Sequence, residues 1–295
     1  MDSSPTDSVT IRATLDETER VLALGPHAAK ARRDAEALLL LALKGDLPNV
    51  TRVWLIAHED EPVAPRTAAE LRALVERRLA GEPMQYIAGE AEFYGLPFTV
   101  TRDVLIPRPE TEHLVEKVIA LAGGFERPRI VDVGTGSGAI AVALACNLVR
   151  AEVTATEISQ GALAVARENA LRNGVADCAR FVEGDLLAPV ADEQFEIVVS
   201  NPPYVPERDR ESLAVEVRDF EPAQALFADE DGLVVYRKLI PAAFGSLAPG
   251  GFIALEIGYG QSEAIRALLA ERGFADVEFT DDLQGIPRVA TARRP

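Results

Sequence analysis

Cysteine, histidine and positive charge are all scarce in this chain of 295 residues, and each shortage excludes a class of protein. The two cysteines, Cys146 and Cys178, are far apart, so neither a disulfide framework nor a Cys-x-x-Cys zinc site is expected. The three histidines are scattered along the chain, and no metal site is predicted from them. Two reduced thiols are what we expect of a cytoplasmic protein.

Long apolar runs are also absent from the sequence. None reaches the roughly 18 residues that span a bilayer, and the N-terminal segment MDSSPTDSVTIRATLDETER has no apolar core, so we expect no signal peptide. Lysine and arginine total 30 against 47 aspartate and glutamate residues, a formal charge of −17. This balance argues against non-specific binding to membranes or nucleic acid, because both reward surplus basic residues. A local basic groove would remain compatible with a nucleic-acid enzyme.

Charge and periodicity divide the chain into regions of different character. Residues 1–80 carry 11 basic and 13 acidic residues, whereas residues 81–295 carry 19 and 34. Helical periodicity over residues 10–24, 28–43 and 65–80 predicts a small helical-bundle domain at 1–80. Residues 81–106 mix glycine and proline with β-formers, which predicts a β-hairpin linker with a turn near 95–97. A further domain is predicted over residues 107–295, with its first helix beginning near Pro109.

Strands and helices alternate from residue 129 onward. Seven short strands are predicted, the first at RIVDV and the last two at 276–280 and 287–292, with helices between most of them. Such alternation is typical of an α/β fold with a mostly parallel sheet covered on both faces.

A glycine loop, Asp132-Val-Gly134-Thr-Gly136-Ser-Gly138, follows the first of these strands. Its glycines let the backbone turn tightly and approach a ligand closely at a helix N-terminus. The spacing also fits the Gly-x-Gly-x-x-Ala form of the dinucleotide fingerprint, so the loop alone leaves the ligand open. An aspartate before Gly-x-Gly-x-Gly resembles motif I of class I methyltransferases, which favours S-adenosylmethionine over NAD.

Two acidic residues after later strands complete the predicted cofactor site. Glu157 ends the second strand, where both ligand families place an acidic residue that accepts the ribose hydroxyls. After the third strand, Asp185 would accept from the exocyclic amine of adenine, and a neighbouring backbone N–H would serve a ring nitrogen. This second pattern is the less specific of the two, because Gly-Asp is also common in turns.

The tetrapeptide Asn201-Pro202-Pro203-Tyr204 follows the fourth strand. Its prolines fix φ and remove two backbone donors, so nearby carbonyls point outward as rigid acceptors. The Asn201 side-chain oxygen and the Pro202 carbonyl can each accept one hydrogen of a planar –NH₂ group, and Tyr204 offers a flat face. The motif predicts in-line methyl transfer from a sulfonium to a conjugated nitrogen by proximity and preorganised acceptors.

The motif leaves two points open. Neither histidine nor cysteine lies near it in sequence, so no general base is assigned. Adenine N6, cytosine N4 and glutamine side-chain amides all present a planar –NH₂ group, so the substrate is not fixed by the motif.

The segment before the glycine loop narrows the choice of substrate. It contains GEPMQYIAG at 81–89, EFYG at 92–95 and VLIPRPETE at 104–112. Together with the glycine loop and Asn-Pro-Pro-Tyr, this set closely resembles the peptide chain release factor N5-glutamine methyltransferases, the PrmC/HemK family. Further matching segments lie at 221–226, 231–233 and 255–261, so the resemblance covers about residues 81–293.

The resemblance implies both a fold and a reaction. The fold is that of a class I S-adenosylmethionine-dependent methyltransferase, Rossmann-like with a mostly parallel seven-stranded sheet, preceded by a small helical domain that docks the substrate. The family methylates the glutamine of the Gly-Gly-Gln loop in release factors, which modulates translation termination and yields S-adenosyl-L-homocysteine. Release factors are therefore the expected partners, with no direct nucleic-acid binding and no membrane contact.

The family's functional residues carry over onto matching positions. The residues implied for the cofactor are Gly134, Thr135, Gly136, Ser137, Gly138, Glu157, Asp185, Leu186 and Asn201. The catalytic residues would be Asn201, Pro202 and Tyr204, and the substrate-binding residues would be these three with Pro203, Arg108, Pro109 and Glu112. Two positions depart from the family pattern, since Glu157 replaces the more usual aspartate and Leu186 stands where relatives often have an aromatic residue.

Three other hypotheses remain open from the residues alone. A ribosomal-protein glutamine methyltransferase would use the same chemistry, and spacing does not choose between protein substrates. A DNA or RNA amino-methyltransferase would need a base-flipping groove and phosphate contacts, against which the net charge of −15 beyond residue 80 counts. A non-enzymatic cofactor-binding module would have no need of the Asn-Pro-Pro-Tyr amide clamp.

Overall fold

Two compact units make up the chain in the computed structural model, which describes residues 9–47 and 49–295. The first eight residues and Pro48, which belong to the predicted helical domain, lie outside the described residues. The N-terminal unit combines the described residues up to Ala88 with a later segment, 214–220. The sheet unit contains residues 89–213 and 221–295. Within the described ranges, no helix is both long and apolar enough to cross a membrane.

The N-terminal unit is helical, as predicted. Helices α1 to α5 span Ile11–Leu22, Ala31–Leu43, Arg52–Ala57, Pro65–Leu79 and Met84–Ala88, and the later segment adds α9, Val215–Arg218. Thr10 caps α1 by accepting the backbone N–H of Ala13. Buried leucines of α1, α2 and α4 meet in one apolar core. The sequence predicted α1, α2 and α4 but not α3 or α5, which are only six and five residues long.

A buried arginine ties the later segment into the N-terminal unit. Arg78 is 2% exposed, and its Nε donates to Asp34 Oδ2 at 2.8 Å. Its Nη1 donates to the carbonyl oxygen of Glu82 at 2.8 Å and to Glu216 Oε2 at 3.1 Å. A buried charge needs such partners, because an unpaired one would carry a large desolvation cost. Glu216 therefore anchors residues 214–220 to α4.

A seven-stranded sheet forms the centre of the sheet unit. Strands β1 and β2 make a separate hairpin at Glu90–Phe93 and Leu96–Thr99, and β3 to β9 span Arg129–Val133, Glu152–Glu157, Ala179–Glu183, Phe195–Ser200, Leu247–Glu256, Ala275–Asp281 and Pro287–Arg293. Their order across the sheet is β5-β4-β3-β6-β7-β9-β8. β9 pairs antiparallel with β7 and β8, and the other pairs are parallel. The predicted mostly parallel seven-stranded fold is confirmed.

Helices cover both faces of this sheet. They are α6 to α8 at Glu112–Ala122, Ala139–Asn147 and Gln160–Arg172, and α10 to α12 at Ala223–Leu226, Val234–Ser246 and Ser262–Arg272. Because side chains alternate along a strand, Ile130 packs into the core with α6 and α7, whereas its neighbour Val131 packs into the core with α11 and α12. Two buried faces explain why the strands read as nearly continuous apolar runs.

The strand order changes direction beside β3. The chain runs outward from β3 to β4 and β5, and then returns to place β6 on the other side of β3. In open α/β sheets, ligands bind at the carboxyl ends of the strands at such a switch point. The glycine loop follows β3 and Asn-Pro-Pro-Tyr follows β6, so both motifs lie there.

The hairpin is present, but the domain boundaries differ from the predicted ones. Tyr94 and Gly95 form its two-residue turn with φ of +53° and +70°, as a tight hairpin turn requires. Phe93 and Phe98 are buried in the core of the sheet unit, whereas residues 81–88 group with the N-terminal unit. The predicted linker at 81–106 is therefore divided between the two units, because its apolar side chains pack on one unit or the other.

Candidate active site

The carboxyl ends of β3 to β6 surround a cavity of about 360 Å³. Most of the residues predicted to bind a cofactor line it, namely Gly134, Thr135, Gly136, Ser137, Glu157, Asp185, Leu186 and Asn201. Gly138 does not line the cavity. A second depression, of about 460 Å³, is lined by residues 126–127 and 149–152 just before β3 and β4, at the edge opposite to both motifs.

The glycine loop between β3 and α7 turns through three left-handed positions. The φ angles are +71° at Gly134, +56° at Gly136 and +81° at Gly138. A Cβ at Gly138 would lie 3.1 Å from the Cβ of Ala166, so this glycine allows α7 and α8 to pack closely. A Cβ at Gly134 or Gly136 would meet no atom within 4 Å. The backbone of these two residues therefore borders open space at a helix N-terminus, which fits the close approach of a ligand.

Asp132 holds the glycine loop in place from within the sheet. It is fully buried, and its Oδ2 accepts the hydroxyl of Thr135 at 2.6 Å and the backbone N–H of Ala141 at 3.2 Å. Burial raises the pKa of Asp132 from 3.8 to about 7. The aspartate that marks motif I in the sequence is thus an internal support of the loop.

Glu157 ends β4 at the wall of the cavity. One oxygen accepts the backbone N–H of Gly136 at 2.9 Å, and the other accepts that of Ser159 at 2.9 Å. Each carboxylate oxygen can accept more than one hydrogen bond, so both keep acceptor capacity. The two contacts fix the carboxylate beside the glycine loop.

The turn after β5 brings Asp185 and Leu186 to the same cavity. Gly184 opens it at φ +154°, where a Cβ would lie 2.8 Å from Cγ of Pro189. Leu186 has a φ of +48°, an uncommon conformation for a residue with a side chain. Asp185 is exposed, so its carboxylate is accessible from the cavity.

The Asn-Pro-Pro-Tyr motif divides its side chains between the cavity and the protein interior. Asn201 and Pro203 line the cavity, whereas Pro202 is buried. The Nδ2 of Asn201 donates to the hydroxyl of Thr111 at 3.2 Å. The hydroxyl of Tyr204 donates to Glu256 Oε1 at 3.3 Å, and burial raises the pKa of this tyrosine. Tyr204 does not line the cavity, so its ring is placed to support the motif.

Residues from two later segments hold Tyr204. The Nε2 of Gln261 donates to the carbonyl oxygen of Tyr204 at 3.1 Å, and its Oε1 accepts the backbone N–H of Gly258 at 2.9 Å. A Cβ at Gly232 would collide with the Tyr204 carbonyl oxygen, and one at Gly258 would lie 3.0 Å from Cδ2 of the Tyr204 ring. The segments at 231–233 and 255–261, which the sequence analysis matched to the family, thus form a support for Asn-Pro-Pro-Tyr, a role that the sequence did not reveal.

Arg108, Pro109 and Glu112, which were predicted to bind substrate, fall in three different places. Arg108 lines the cavity and pairs with the buried Glu221, which also accepts the backbone N–H of Ile106 at 3.2 Å. Pro109 is exposed and does not line the cavity. Glu112 accepts the backbone N–H of Tyr94 at 2.8 Å, so it anchors the hairpin turn. The structure brings only Arg108 of these three to the cavity, and adds Thr111, which the sequence had not singled out.

A metal site and a thiol nucleophile are both missing from the part of the chain that the structure describes. No group of three or more possible ligands lies together among residues 9–47 and 49–295. Cys146 and Cys178 are free and belong to neither motif. The ionisable side chains that line the cavity are Asp103, Arg108, Glu157 and Asp185.

Comparisons with known proteins agree with this geometry. Residues 110–242 match the family model of the methyltransferase small domain, and residues 17–89 match that of the PrmC N-terminal domain. A release factor glutamine methyltransferase of Geobacter sulfurreducens is 44% identical over 96% of this chain and 96% of its own length. One of Bordetella pertussis is 46% identical over 81% of this chain and 88% of its own length.

A solved structure supports the fold alone. The hMettl16 catalytic domain, in complex with a 3′UTR hairpin, has a TM-score of 0.57 at 17% identity and covers 88% of this chain and 93% of its own. The sequence relatives carry the assignment further, because their similarity extends over both units and nearly the whole length. The chain belongs to the release factor glutamine methyltransferase family.

Proposed function

We propose that this protein transfers the methyl group of S-adenosylmethionine to the side-chain amide nitrogen (N5) of the glutamine in the Gly-Gly-Gln motif of peptide chain release factors. One observation carries the proposal, namely that Asn201 and the glycine loop line the same cavity at the switch point of the sheet. A methyl donor held by the loop and an amide held by Asn201 would then meet within one site. Family membership supports the choice of protein substrate.

The cavity suits the methyl donor on several counts. Open space beside Gly134 and Gly136 would accept the polar end of the donor near the N-terminus of α7. Glu157, already fixed by two backbone N–H groups, would accept the ribose hydroxyls. Asp185 and the backbone N–H of Leu186 would bind the edge of the adenine. When bound, S-adenosylmethionine supplies an electrophilic methyl carbon on a sulfonium.

Asn-Pro-Pro-Tyr would hold the nitrogen that receives the methyl group. The Oδ1 of Asn201 and the carbonyl of Pro202 would each accept one amide hydrogen, which orients the nitrogen and localises a lone pair otherwise delocalised into the carbonyl. Transfer would form an N–C bond as the S–C bond breaks, with S-adenosyl-L-homocysteine as the leaving group, and the nitrogen would release one proton to water. Tyr204 stabilises the clamp through its carbonyl and hydroxyl contacts rather than by touching the amide. Positioning is the main catalytic contribution of these residues.

The N-terminal unit is the proposed docking region for the release factor. Its family model covers residues 17–89 and ends where the sheet unit begins. A release factor acts in translation, which makes the cytoplasm the proposed location. The net charge of −17 fits a protein substrate better than an exposed nucleic acid.

A substrate panel tests the proposal. The protein is incubated with labelled S-adenosylmethionine and, separately, with a release factor, a ribosomal protein and DNA, and mass spectrometry locates the added methyl group. We expect one methyl on the Gly-Gly-Gln glutamine. Asn201→Ala should abolish transfer with cofactor affinity largely kept, whereas Asn147→Ala, on the exposed end of α7, should behave as wild type. Methylation of the ribosomal protein or of DNA in place of the release factor would overturn the assignment.

A further inference from the structure

A short relay of hydrogen bonds connects Asn201 to a buried carboxylate. The Nδ2 of Asn201 donates to Thr111 Oγ1 at 3.2 Å, and this hydroxyl donates to Glu256 Oε2 at 2.6 Å. The second oxygen of Glu256 accepts the hydroxyl of Tyr204 at 3.3 Å. Thr111 is 4% exposed and Glu256 is 2% exposed, so solvent does not supply alternative partners.

The chemistry of these groups gives the relay one direction. A threonine hydroxyl has a single proton, and Glu256 can only accept once it is ionised, which requires a pH above its raised pKa of about 7. The short contact to Glu256 is of the length expected for a hydroxyl that donates to a carboxylate. With its proton committed there, Thr111 can only accept from its other neighbour. Asn201 must therefore turn its –NH₂ group toward Thr111.

The direction of the relay decides what Asn201 presents to the cavity. A side-chain amide has a donor end and an acceptor end, and the two orientations have almost the same shape. With the –NH₂ end held by Thr111, the Oδ1 end is free to accept. In the opposite orientation, two –NH₂ groups would face each other across the site, and the clamp on the substrate amide would be lost.

We propose that Thr111 and Glu256 are positioning residues that fix the amide orientation of Asn201, so that its oxygen faces the nitrogen to be methylated. This inference rests on the proposed methyl transfer to an amide. Glu256 acts through Thr111 and touches neither ligand. The hydroxyl of Tyr236 donates at 2.7 Å to the main-chain oxygen of Glu256, which fixes the end of β7 that carries the carboxylate.

Two substitutions at Thr111 separate orientation from packing. Thr111→Val keeps the shape of the side chain and removes the hydroxyl, whereas Thr111→Ser keeps the hydroxyl and removes a methyl group. If the relay orients Asn201, then at a pH of about 8, where Glu256 is ionised, the serine variant should retain most of kcat. The valine variant should lose about 10- to 100-fold in kcat, because one preorganised hydrogen bond is gone. A packing role predicts the opposite order. Dissociation constants for S-adenosylmethionine, measured by calorimetry, should remain within about twofold of wild type in both variants. A loss of one or two kcal/mol in binding free energy would change them by a factor of about 5–30.

The outcomes also separate this inference from the proposed function. Absence of methylation by the wild-type protein would count against the function itself. Methylation by wild type with equal kcat in the two variants, or with the valine variant faster, would overturn the relay. An effect of Thr111→Val that appears only in the KM for either substrate, with kcat unchanged, would also overturn the relay. If Thr111→Val does not fold by circular dichroism, Thr111→Ala replaces it. Alanine and serine both lack the methyl group, so equal kcat in that pair would refute the role of the hydroxyl.

Discussion

Replacing Glu256 with glutamine should change how the stability of the sheet unit depends on pH. Burial raises the pKa of Glu256 from 4.5 to about 7, against the opposing effect of the hydroxyls of Thr111 and Tyr204. The nearby charges act in opposite directions, since Glu110 raises this pKa and Arg288 lowers it. The folded protein therefore holds this proton more tightly than the unfolded chain does.

The sign and size of the effect follow from that difference. The stabilisation due to the proton is fully present below pH 4.5, the ordinary value, and is lost as the pH rises through about 7. At about 1.4 kcal/mol for each pH unit between the two values, the free energy of unfolding changes by about 3 kcal/mol. Glutamine does not titrate, so the wild-type protein should lose about 3 kcal/mol relative to Glu256→Gln between pH about 4.5 and about 8. Asp132, which is common to both proteins, cancels in this comparison.

Urea unfolding at a series of pH values measures the effect. Far-ultraviolet circular dichroism reports both units, whereas fluorescence of Trp54, the single tryptophan, reports the N-terminal unit. Glu271→Gln, on the exposed surface of α12, is the matched control. Parallel stability curves for wild type and Glu256→Gln across this pH range would refute the reasoning.

Three further substitutions test other parts of the structure. Glu157→Ala should weaken S-adenosylmethionine binding by about 10- to 100-fold, as expected for lost hydrogen bonds to a charged group, and an unchanged dissociation constant in calorimetry would remove its ribose role. Gly232→Ala should sharply lower kcat while cofactor affinity stays near wild type, because the new Cβ collides with the carbonyl of Tyr204; normal turnover would show that this support is dispensable. Arg78→Met should destabilise the N-terminal unit by about 3–5 kcal/mol by leaving Asp34 buried without its partner, and an unshifted unfolding midpoint of Trp54 fluorescence would contradict that.

The sequence predicted the elements whose periodicity is long or strong. All seven strands of the sheet overlap the predicted ones, and helices α1, α2 and α4 are found where predicted, each with a buried apolar face. Short helices α3 and α5 carry too few residues for a period to appear. The grouping of residues 214–220 with the N-terminal unit was beyond reach, since it depends on the ion pair of Glu216 with Arg78, 138 positions apart.

In the site, too, contiguous motifs were predictable from the sequence, whereas contacts between distant residues were not. The glycine loop and Asn-Pro-Pro-Tyr are contiguous, and the structure brings Gly134 and Asn201 to one cavity as expected. Their individual roles stay predictions. The family resemblance implied that Glu112 binds substrate, whereas the start of α6 turns Thr111 inward and Glu112 toward the hairpin. One signal was available for Glu256, because a carboxylate at the end of an otherwise apolar strand must have a partner.

The N-terminal unit is built from two separate stretches of the chain, which limits how this protein can be truncated or recombined. The chain passes between the units three times, after residues 88, 213 and 220. Val215 and Phe220 pack at Gly81, and Glu216 pairs with Arg78. A truncated protein that began at residue 89 would therefore keep residues 214–220 but lack the apolar and charged residues that they contact. A chimaera that exchanges substrate-docking modules between relatives would have to move residues 214–220 together with the N-terminal helices, and so would any recombination event in evolution.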